Sequence, residues 1–402
     1  MNTEELTAWL RLSLTDGVGN DAAQRLLAQF GSPEAVFEQP ASALREVVSS
    51  AQADALLEPP LTLEMQLALT QHWLAQSHSA CERAVWCLGD AHYPDALLQL
   101  SDPPLMLYAQ GQLSSPLPPA VAVVGSRNPT PQGAQTAEQL SEALARAGLC
   151  VVSGLALGVD GAAHRGALQS GSVTSALATL ATRSTLATQA PAHSSPDVQN
   201  KPMLRTIAVV GTGLDRVYPR QHHALAQAIT QHGWLLSEYP LGTPPLAHHF
   251  PRRNRLIAAL GLGTLVVEAA LQSGSLITAH LALELGREVM AIPGSIHAPQ
   301  SRGCHALIKE GAKLVETAHD VLEELQPLPT GLLMHNSNDE ATTASPEHPL
   351  LAHMGHVPVS LDALQTRSAW DAPALLGVLL TLELEGVVAR LPGGLYQRLN
   401  AI

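Results

Sequence analysis

The stretch VAVVGSRNPTPQG, residues 121–133, joins a short apolar run to a polar segment that contains glycine and proline. Four apolar residues before Gly125 are typical of a parallel strand that is buried on both faces, since such a strand has no solvent-facing side. The next segment, AQTAEQLSEALARAG, has the length and the apolar spacing of a helix. A strand that turns into a helix is the repeating unit of an α/β fold.

The same unit recurs along the chain. Further strand-like runs are CVVSG (150–154), IAVVG (207–211), WLLSE (234–238), TLVVE (264–268) and EVMAIPG (288–294). Segments of helical length separate them, so the alternation predicts an open, doubly wound, parallel sheet within a domain spanning 85–325. Residues 85–115 have little periodicity and are predicted to be a proline-containing lead-in. An insertion at about 172–203, rich in Ala, Ser and Thr, is predicted to be flexible.

Residues 1–80 are predicted to form a separate helical domain. LTAWLRLSL and AAQRLLAQF show helical spacing on either side of DGVGN, which resembles a sterile-alpha-motif or helix-hairpin-helix module. The glycine turn either presents N–H groups to a phosphate or is an ordinary turn between helices. Asp16 and Asp21 beside it would repel DNA.

The carboxyl-terminal part is predicted to be a linker over 326–356 and a winged-helix-like domain over 357–402. Two helical patterns are followed by VVARLPGGLYQRL, which predicts a hairpin with a Pro-Gly-Gly turn. The second helix carries Asp371, Glu383 and Glu385 but no Lys or Arg. Because a helix that reads a DNA groove needs donors to phosphates and bases, we favour protein contact over DNA contact for this module.

The net charge of −13 conceals an uneven distribution. Residues 118–320 hold 15 Lys and Arg against 12 Asp and Glu, whereas the remainder holds 7 against 23. A basic site can therefore lie in the central region of an otherwise acidic protein, although the count by itself is equally compatible with scattered arginines.

Several features favour a cytoplasmic protein. The start MNTEELTAWLRL has Glu4 and Glu5 and no basic residue before an apolar run, so no secretory signal is expected. The longest nearly apolar stretch, LIAALGLGTLVVEAAL, is too short for a membrane span and contains Glu268. The four cysteines lack metal-ligand spacing and are expected to be reduced, buried thiols.

Small residues follow the predicted strands where ligands bind in such sheets. Gly125, Ser126 and Arg127 follow the first strand, Ser153 and Gly154 the second, and residues 211–213 the third; Ser273, Gly274 and Ser275 open a later helix. Their N–H and hydroxyl groups are suited to an anion. The guanidinium of Arg127 can grip phosphate oxygens, or it can form a salt bridge across the crevice.

The segment HHFPRRNR, residues 248–255, is the strongest candidate for nucleic-acid contact. It places three of the 22 Lys and Arg residues within four positions, beside one of only three Phe residues. Arginines hold phosphates, and an aromatic ring stacks a base, so we predict contacts from Arg252, Arg253 and Arg255 with stacking on Phe250. The alternatives are that Phe250 anchors the core and that Asn254 or Arg255 caps or braces the fold.

No pattern indicates a catalytic or metal site. Asp160 and His164 are four residues apart on a predicted helix, where a structural hydrogen bond is favoured over acid–base or metal chemistry. His248 and His249 are expected to be an exposed pair in a loop. The chain has neither a Gly-Lys-Ser/Thr phosphate loop nor a complete Gly-x-Gly-x-x-Gly fingerprint, so no NTP hydrolysis and no nucleotide cofactor is expected.

The chain resembles the DNA-processing protein A family (DprA, also called Smf) over residues 85–320. The shared motifs are VAVVGSRNPTPQG, VVSGLALGVDGAAHRGAL, VVGTGLDRVYPRQ, LLSEYPLG, FPRRNRLIAALG, VVEAALQSGSLITAHLALELGREVMAIPG and LIKEGAKLV. The resemblance implies an extended Rossmann-like domain with sterile-alpha-motif-like and winged-helix domains at its ends. It also implies single-stranded DNA binding in natural transformation, protection of incoming strands, loading of the RecA recombinase, homodimers, and neither catalysis nor a cofactor.

The resemblance also implies a set of DNA-binding residues. The members are Gly125, Ser126, Arg127, Phe250, Arg252, Arg253, Asn254, Arg255, Ser273, Gly274 and Ser275, with Arg220 and Lys309 as weaker members. His305 stands where the family pattern has Asn, which puts a contact at that position in doubt.

A second hypothesis is an enzyme. GLGTLVVEAA and FPRRN are similar to nucleoside-monophosphate phosphoribohydrolases of the lysine-decarboxylase-like fold, in which Glu268 would stabilise a ribosyl cation. Against this, the Pro-Gly-Gly-x-Gly-Thr run of those enzymes appears here as residues 260–264, LGLGT.

Overall fold

The computed structural model describes residues 2–171, 203–325, 348–354, 358–368, 370–391 and 393–399. The predicted insertion at about 172–203 lies almost wholly outside these residues. Among the described residues, no helix has both the length and the apolar character required to cross a bilayer.

The amino-terminal part is helical, as its apolar spacing predicts. Its helices are α1 (Thr3–Leu14), α2 (Asn20–Phe30), α3 (Pro33–Phe37), α4 (Ala41–Val47), α5 (Ser50–Leu57) and α6 (Leu63–Ala75). A capping box starts α1: the Asn2 side chain accepts a hydrogen bond from the Glu5 N–H, and the Glu5 carboxylate accepts one from the Asn2 N–H.

Nine strands form one sheet. In chain order they are β1 (Glu82–Cys87), β2 (Met106–Gly111), β3 (Ala120–Val124), β4 (Cys150–Ser153), β5 (Thr206–Val209), β6 (Gly233–Ser237), β7 (Gly263–Val266), β8 (Glu288–Ala291) and β9 (Lys313–Leu314). Their spatial order is β1-β2-β6-β5-β4-β3-β7-β8-β9, parallel from β6 to β9 and antiparallel at β1 and β2. Strands β4 to β6 follow on one side of β3, and strands β7 to β9 follow on the other. The switch point, where the strand order reverses, therefore lies between β3 and β7.

The antiparallel strands β1 and β2 lie largely in the segment that the sequence predicted to be an irregular lead-in, and that prediction is wrong for them. The two strands pair antiparallel over their whole length, and β2 pairs antiparallel with β6. Only part of β1 is buried, so it lacks the continuous apolar run that identified the central strands. Prolines in the long connection between the two strands further mask the pairing.

Helices cover both faces of the sheet. They are α7 (Pro131–Arg146), α8 (Val159–Gln169), α9 (His223–His232), α10 (His249–Leu260), α11 (Gly274–Glu284), α12 (Arg302–Lys309) and α13 (Ala318–Glu324). On β3, Ala122 and Val124 pack in the same cluster as the apolar end of α10, whereas Val121 and Val123 pack with α7 and α8. The doubly wound arrangement is therefore confirmed.

The amino-terminal helices share a core with the sheet. One cluster runs from Leu6, Leu10 and Leu26 in the helices to Val85 and Ala208 in the strands. Trp73 of α6 meets Tyr108 of β2 edge to face, with ring centroids 5.9 Å apart. The helical part is thus fastened to the antiparallel edge of the sheet by apolar burial.

The carboxyl-terminal module has a core of its own and a winged-helix arrangement. Its elements are α14 (Pro349–Met354), β10 (Val359–Ser360), α15 (Leu361–Ser368), α16 (Ala372–Leu384), β11 (Val388–Leu391) and β12 (Leu395–Arg398). The three strands pair in the order β10-β12-β11. Gly393 and Gly394 both have left-handed φ, 85° and 71°, which the tight turn of the predicted hairpin requires.

Helix α14 lies inside the segment 326–356 that was predicted to be a linker. Leu350, Leu351 and Met354 pack into the core of the winged-helix module, so this part of the segment is structural. Its short length gave too little periodicity for recognition as a helix.

Candidate nucleic-acid interface

A cleft opens at the carboxyl ends of β3, β4 and β5, beside the switch point of the sheet. Its volume is about 140 Å³. The lining residues are Arg127, Gly154, Ala156, Leu157, Val210, Gly211, Thr212, Tyr218, Pro219 and Phe250. Residues that are far apart in sequence meet here because parallel strands end at the same edge.

Two aromatic rings form one wall of the cleft. Phe250 is half-buried near the start of α10, and its ring centroid lies 5.6 Å from that of the exposed Tyr218. Gly211 allows the Phe250 ring to pack closely against the backbone, since a Cβ at this position would lie 3.2 Å from the ring. Tyr218 was missing from the predicted site, although a tyrosine in a Gly-Pro loop after a strand is a usable signal in a chain with 3% aromatic residues.

Arg127 supplies an unneutralised positive charge to the same wall. Its guanidinium carbon lies 5.5 Å from the centroid of the Phe250 ring, within the range of a cation–π contact. The side chain is exposed and makes no ion pair with any described residue, so the predicted alternative of a salt bridge across the crevice is not observed. The guanidinium is therefore open to an anion that enters the cleft.

Most of the segment HHFPRRNR is helical, including His249, which was predicted to lie in a loop. Residues 249–255 make the first turns of α10, so successive side chains point in different directions around the helix. Phe250, Arg253 and Asn254 share one side by their spacing of three and four residues, and Arg252 and Arg255 share another. The arginines consequently do not gather around the ring.

Arg253 lies under the floor of the cleft. It is 3% exposed, and its Nη1 donates to the carbonyl oxygens of Gly154 and Val209 at the ends of β4 and β5. Burial lowers its pKa to about 10, an effect that the nearby carboxylate of Asp160 opposes. The DNA contact of Arg253 stays a prediction; in the structure its guanidinium holds strand ends together, and it fills the place where a side chain on Gly154 would be.

Arg255 is also part of the framework. It is 6% exposed and is held by two carboxylates, with Nη2 2.6 Å from Glu238 Oε2 and Nε 2.9 Å from Asp102 Oδ1. These contacts support the alternative that Arg255 braces the fold, and its DNA contact stays a prediction. The exposed Arg252 lies on the same side, 3.9 Å from Glu238 at its nearest approach, and borders a separate small pocket between the sheet and α2.

Asn254 connects α10 to the start of α11. Its Nδ2 donates to the Gly274 carbonyl oxygen at 3.4 Å. Ser273 caps α11 by accepting a hydrogen bond from the Ser275 N–H, and the two hydroxyls lie 2.7 Å apart. The predicted Ser-Gly-Ser element is thus brought next to Asn254, and Gly274 is exposed.

The two weaker candidates differ in position. Arg220 is exposed and directly follows Pro219, which lines the cleft. Lys309 is exposed at the end of α12, and no hydrogen bond or ion pair among the described residues joins it to the cleft. On the same helix, His305 Nε2 lies 3.0 Å from the Gly294 carbonyl oxygen, so the imidazole contacts a loop of its own chain.

Backbone geometry is unusual at the edge of the cleft. Apart from glycines, Leu155 is the one described residue with a left-handed φ, 58°. It follows Gly154 at the end of β4, and its carbonyl oxygen lies 3.0 Å from His222 Nδ1. Conformations of this kind persist where the surrounding structure holds them, and they are common at binding sites.

The buried polar residues near the cleft are structural. His164 Nδ1 lies 2.7 Å from Thr206 Oγ1, and burial lowers the pKa of His164 to about 3, so its ring is neutral. Asp160 accepts from the Ala156 N–H, and burial raises its pKa. Their structural role, favoured from the sequence, is what the contacts indicate.

Only one residue of the histidine pair at the start of α10 is exposed as predicted. His248 is exposed, but His249 is buried: its ring stacks on Tyr239 with centroids 4.0 Å apart, and Nδ1 lies 3.2 Å from the Gly211 carbonyl oxygen. Within the described ranges, no three His, Cys, Asp or Glu side chains are placed to share a metal ion.

Glu268 holds Thr130, the residue that caps the start of α7. Its Oε2 accepts from the Thr130 N–H at 2.9 Å, and its Oε1 accepts from the Thr130 hydroxyl at 2.6 Å. Burial raises the pKa of this carboxyl, and the hydrogen bonds from Thr130 lower it. The carboxylate therefore anchors the loop that carries Arg127 against the neighbouring strand end.

Comparison with known proteins agrees with this architecture. The family profile described as DNA recombination-mediator protein A matches residues 84–195 and 192–326, and the DprA winged helix domain matches 336–394. Protein Smf of Escherichia coli K12 is 40% identical over 316 residues, which cover 77% of this chain and 75% of that protein. DNA processing protein DprA of Streptococcus pneumoniae R6 is 44% identical over 237 residues, covering 59% and 72%.

A solved structure extends the likeness to three dimensions. The X-ray structure of DprA from Streptococcus pneumoniae superposes with a TM-score of 0.61 at 34% identity, covering 81% of this chain and 98% of that one. The matched family regions cover nearly all of the nine-stranded sheet and the winged-helix module up to residue 394. This chain belongs to the DNA-processing protein A (DprA/Smf) family of recombination mediators.

Proposed function

We propose that this protein binds single-stranded DNA at the cleft between the ends of β3, β4 and β5. The observation that carries the proposal is the exposed guanidinium of Arg127, which lies 5.5 Å over the Phe250 ring without an ion-pair partner among the described residues. The guanidinium holds a phosphate, and the rings of Phe250 and Tyr218 receive a base.

The aromatic wall favours a single strand over a duplex. In a duplex, each base is stacked on its neighbours, so its faces are closed to a side chain. An unpaired strand offers both a base face and an adjacent phosphate, which match the ring and the guanidinium at the separation seen here. Recognition of this kind is tolerant of sequence, since every base has an aromatic face.

The remaining predicted contacts are retained in a revised form. We propose direct contacts from exposed or half-buried groups around the cleft: Gly125, Ser126, Arg127, Arg220, Phe250, Asn254, Ser273 and Gly274. Ser275 is buried behind its cap, and Arg252 and Lys309 lie farther along the surface, where they would meet a longer strand. Arg253 and Arg255 act by holding the cleft in shape.

We further propose that the bound strand is protected and passed to the RecA recombinase during natural transformation, by a homodimer in the cytoplasm. Membership of a family described as DNA recombination mediators supports this role. We propose no catalytic step and no cofactor. Both oxygens of Glu268 are occupied by Thr130, so no observation favours a phosphoribohydrolase.

The test is binding of a fluorescent oligothymidylate to the full chain, measured by anisotropy over a range of salt concentrations. The affinity should fall steeply with salt, since each phosphate contact contributes a slope of about 0.7 in a log–log plot for a single strand. Arg127→Ala should reduce that slope by about one contact and weaken binding to every sequence alike.

Arg146→Ala is the matched control for this test. Arg146 is an exposed arginine on α7 that pairs with Glu142, so its removal should leave binding unchanged. Binding that does not depend on salt, or an equal loss in the two variants, would contradict the assignment of Arg127 to a phosphate.

A further inference from the structure

The third helix of the winged-helix module exposes a row of leucines. On α16, Leu376, Leu380 and Leu384 are 47%, 58% and 81% exposed, although they are four residues apart and lie along one face. The opposite face, Leu375, Leu379 and Leu382, is buried in the core of the module. About half or more of the surface of each of these leucines is therefore left uncovered by the described residues.

The charges around this row are acidic. Asp371 caps the amino-terminal end of α16, and Glu383 and Glu385 flank Leu384 at the carboxyl-terminal end, where the helix dipole is already negative. Carboxylates at that end reduce the stability of the helix. No Lys or Arg lies between residues 371 and 386. Phosphates would therefore be repelled, and the helix lacks the donors that reading a groove requires.

We propose that this face of α16 binds an amphipathic helix of another protein, one that carries an apolar row flanked by lysines or arginines. The apolar row would cover the three leucines, and the basic residues would meet Glu383 and Glu385. A cation at that end also offsets the negative end of the helix dipole. The acidic flank thus selects the charge of the partner.

Charge argues against the other occupants. Two copies of α16 would bring acidic residues together in either orientation: Asp371 against Glu383 and Glu385 if antiparallel, and like end against like end if parallel. Exposed apolar residues at the start of α6, Leu61 just before the helix and Met65 and Leu69 within it, lie beside Glu64 and near Glu58, so they would also repel α16. An anionic membrane surface is excluded by the same sign of charge.

Gly377 allows the partner helix to come close. It lies on the exposed face between Leu376 and Leu380, and a Cβ placed on it would meet no atom within 4 Å. A glycine inside a helix lowers stability relative to alanine, and here it leaves a notch between the leucine ridges. We infer that a leucine of the partner enters this notch.

The test uses the full chain and a labelled synthetic helix with leucines at positions i, i+3, i+4 and i+7 and lysines beside them. Anisotropy should show binding of this peptide, and the same peptide with glutamates in place of lysines should bind at least about tenfold more weakly. Leu380→Ser should weaken the basic peptide about tenfold or more, since a leucine would no longer be covered. Leu61→Ser, at an exposed leucine just before α6, is the matched control and should have no effect.

Gly377→Leu separates docking from folding. The substitution improves helix propensity and fills open space, so the variant should fold at least as well, yet it should weaken the basic peptide about tenfold by closing the notch. Both α16 variants should bind oligothymidylate normally, so a failure here is distinct from a failure of the DNA proposal. Equal binding of the acidic peptide, binding of anionic vesicles or duplex DNA through this face, or unchanged affinity in Leu380→Ser or Gly377→Leu would overturn the proposal.

Discussion

Helices α10 and α16 each occupy the place where their fold commonly meets nucleic acid, but they present opposite chemistry. Helix α10 begins at the carboxyl edge of a parallel sheet and brings Phe250 to the cleft under the Arg127 guanidinium. Helix α16 is the third helix of a winged-helix module and exposes leucines between acidic ends. The shape of a fold therefore does not identify its partner; the side chains at the exposed face do.

The two helices also differ in the residues that lie beneath them. Under α10, buried guanidinium groups are held by carbonyl oxygens and carboxylates, and these contacts fix the strand ends that form the cleft. Under α16, the described residues form an apolar core of leucines, valines, a methionine and a tyrosine. The proposed DNA site therefore depends on a polar framework, whereas the proposed docking face depends only on the helix being formed.

The largest effect should come from breaking that framework. Arg255→Ala leaves Glu238 buried without its cation, which should lower the free energy of unfolding by about 3–5 kcal/mol. Urea denaturation followed by circular dichroism measures it. Arg252→Ala, at an exposed position one turn away, should change stability by less than about 0.5 kcal/mol. Similar losses in both variants would show that Arg255 has no special structural role.

A smaller effect is expected from the ring at the cleft. Phe250→Ala removes a stacking surface worth about 1–3 kcal/mol per base, so the affinity for oligothymidylate should fall about 10- to 100-fold. Leu380→Ala on α16 is the control, because its side chain is exposed in the other region and should not alter DNA binding. If the two variants lost affinity equally, the contrast between the helices would be refuted.

The smallest expected effect is a pH dependence of the free energy of unfolding, caused by His164 beneath the cleft. The pKa of His164 is lowered from 6.5 to about 3 in the folded protein, so the unfolded chain takes up the extra proton as the pH falls below about 6.5. Stability from this residue is present at neutral pH and is lost progressively between about pH 6.5 and 3. Lowering the pH from 7 to 5.5 should cost about 1 kcal/mol.

His164→Gln isolates that contribution. Titrations in urea at the two pH values should show a pH dependence about 1 kcal/mol smaller in the variant than in the parent protein. An unchanged difference between the two pH values would mean that His164 is not the group that titrates.

Much of the fold could be predicted from local patterns. The six central strands were recognisable because parallel strands buried on both faces are continuous apolar runs, as in residues 121–124. The antiparallel strands β1 and β2 were missed because β1 is only partly buried and the connection between the two strands contains prolines. Arg127 and Gly211 could also be placed at the cleft from the sequence. Each follows a predicted strand, and parallel strands all end at the same edge of the sheet.

The separate roles of the residues in HHFPRRNR could not be predicted from the sequence. The sequence shows that arginines and an aromatic ring lie together. It does not show that the turns of a helix direct Phe250 to the cleft and Arg255 to Glu238 and Asp102. Each arginine has the same chemistry in isolation, and its role depends on what surrounds it after folding. By itself, the sequence determined the family, the order of strands and helices along the chain, and the chemical types at the sheet edge. Only the tertiary structure decided which guanidinium stays open to an anion and which are neutralised, because burial and partner charges come from contacts between distant segments.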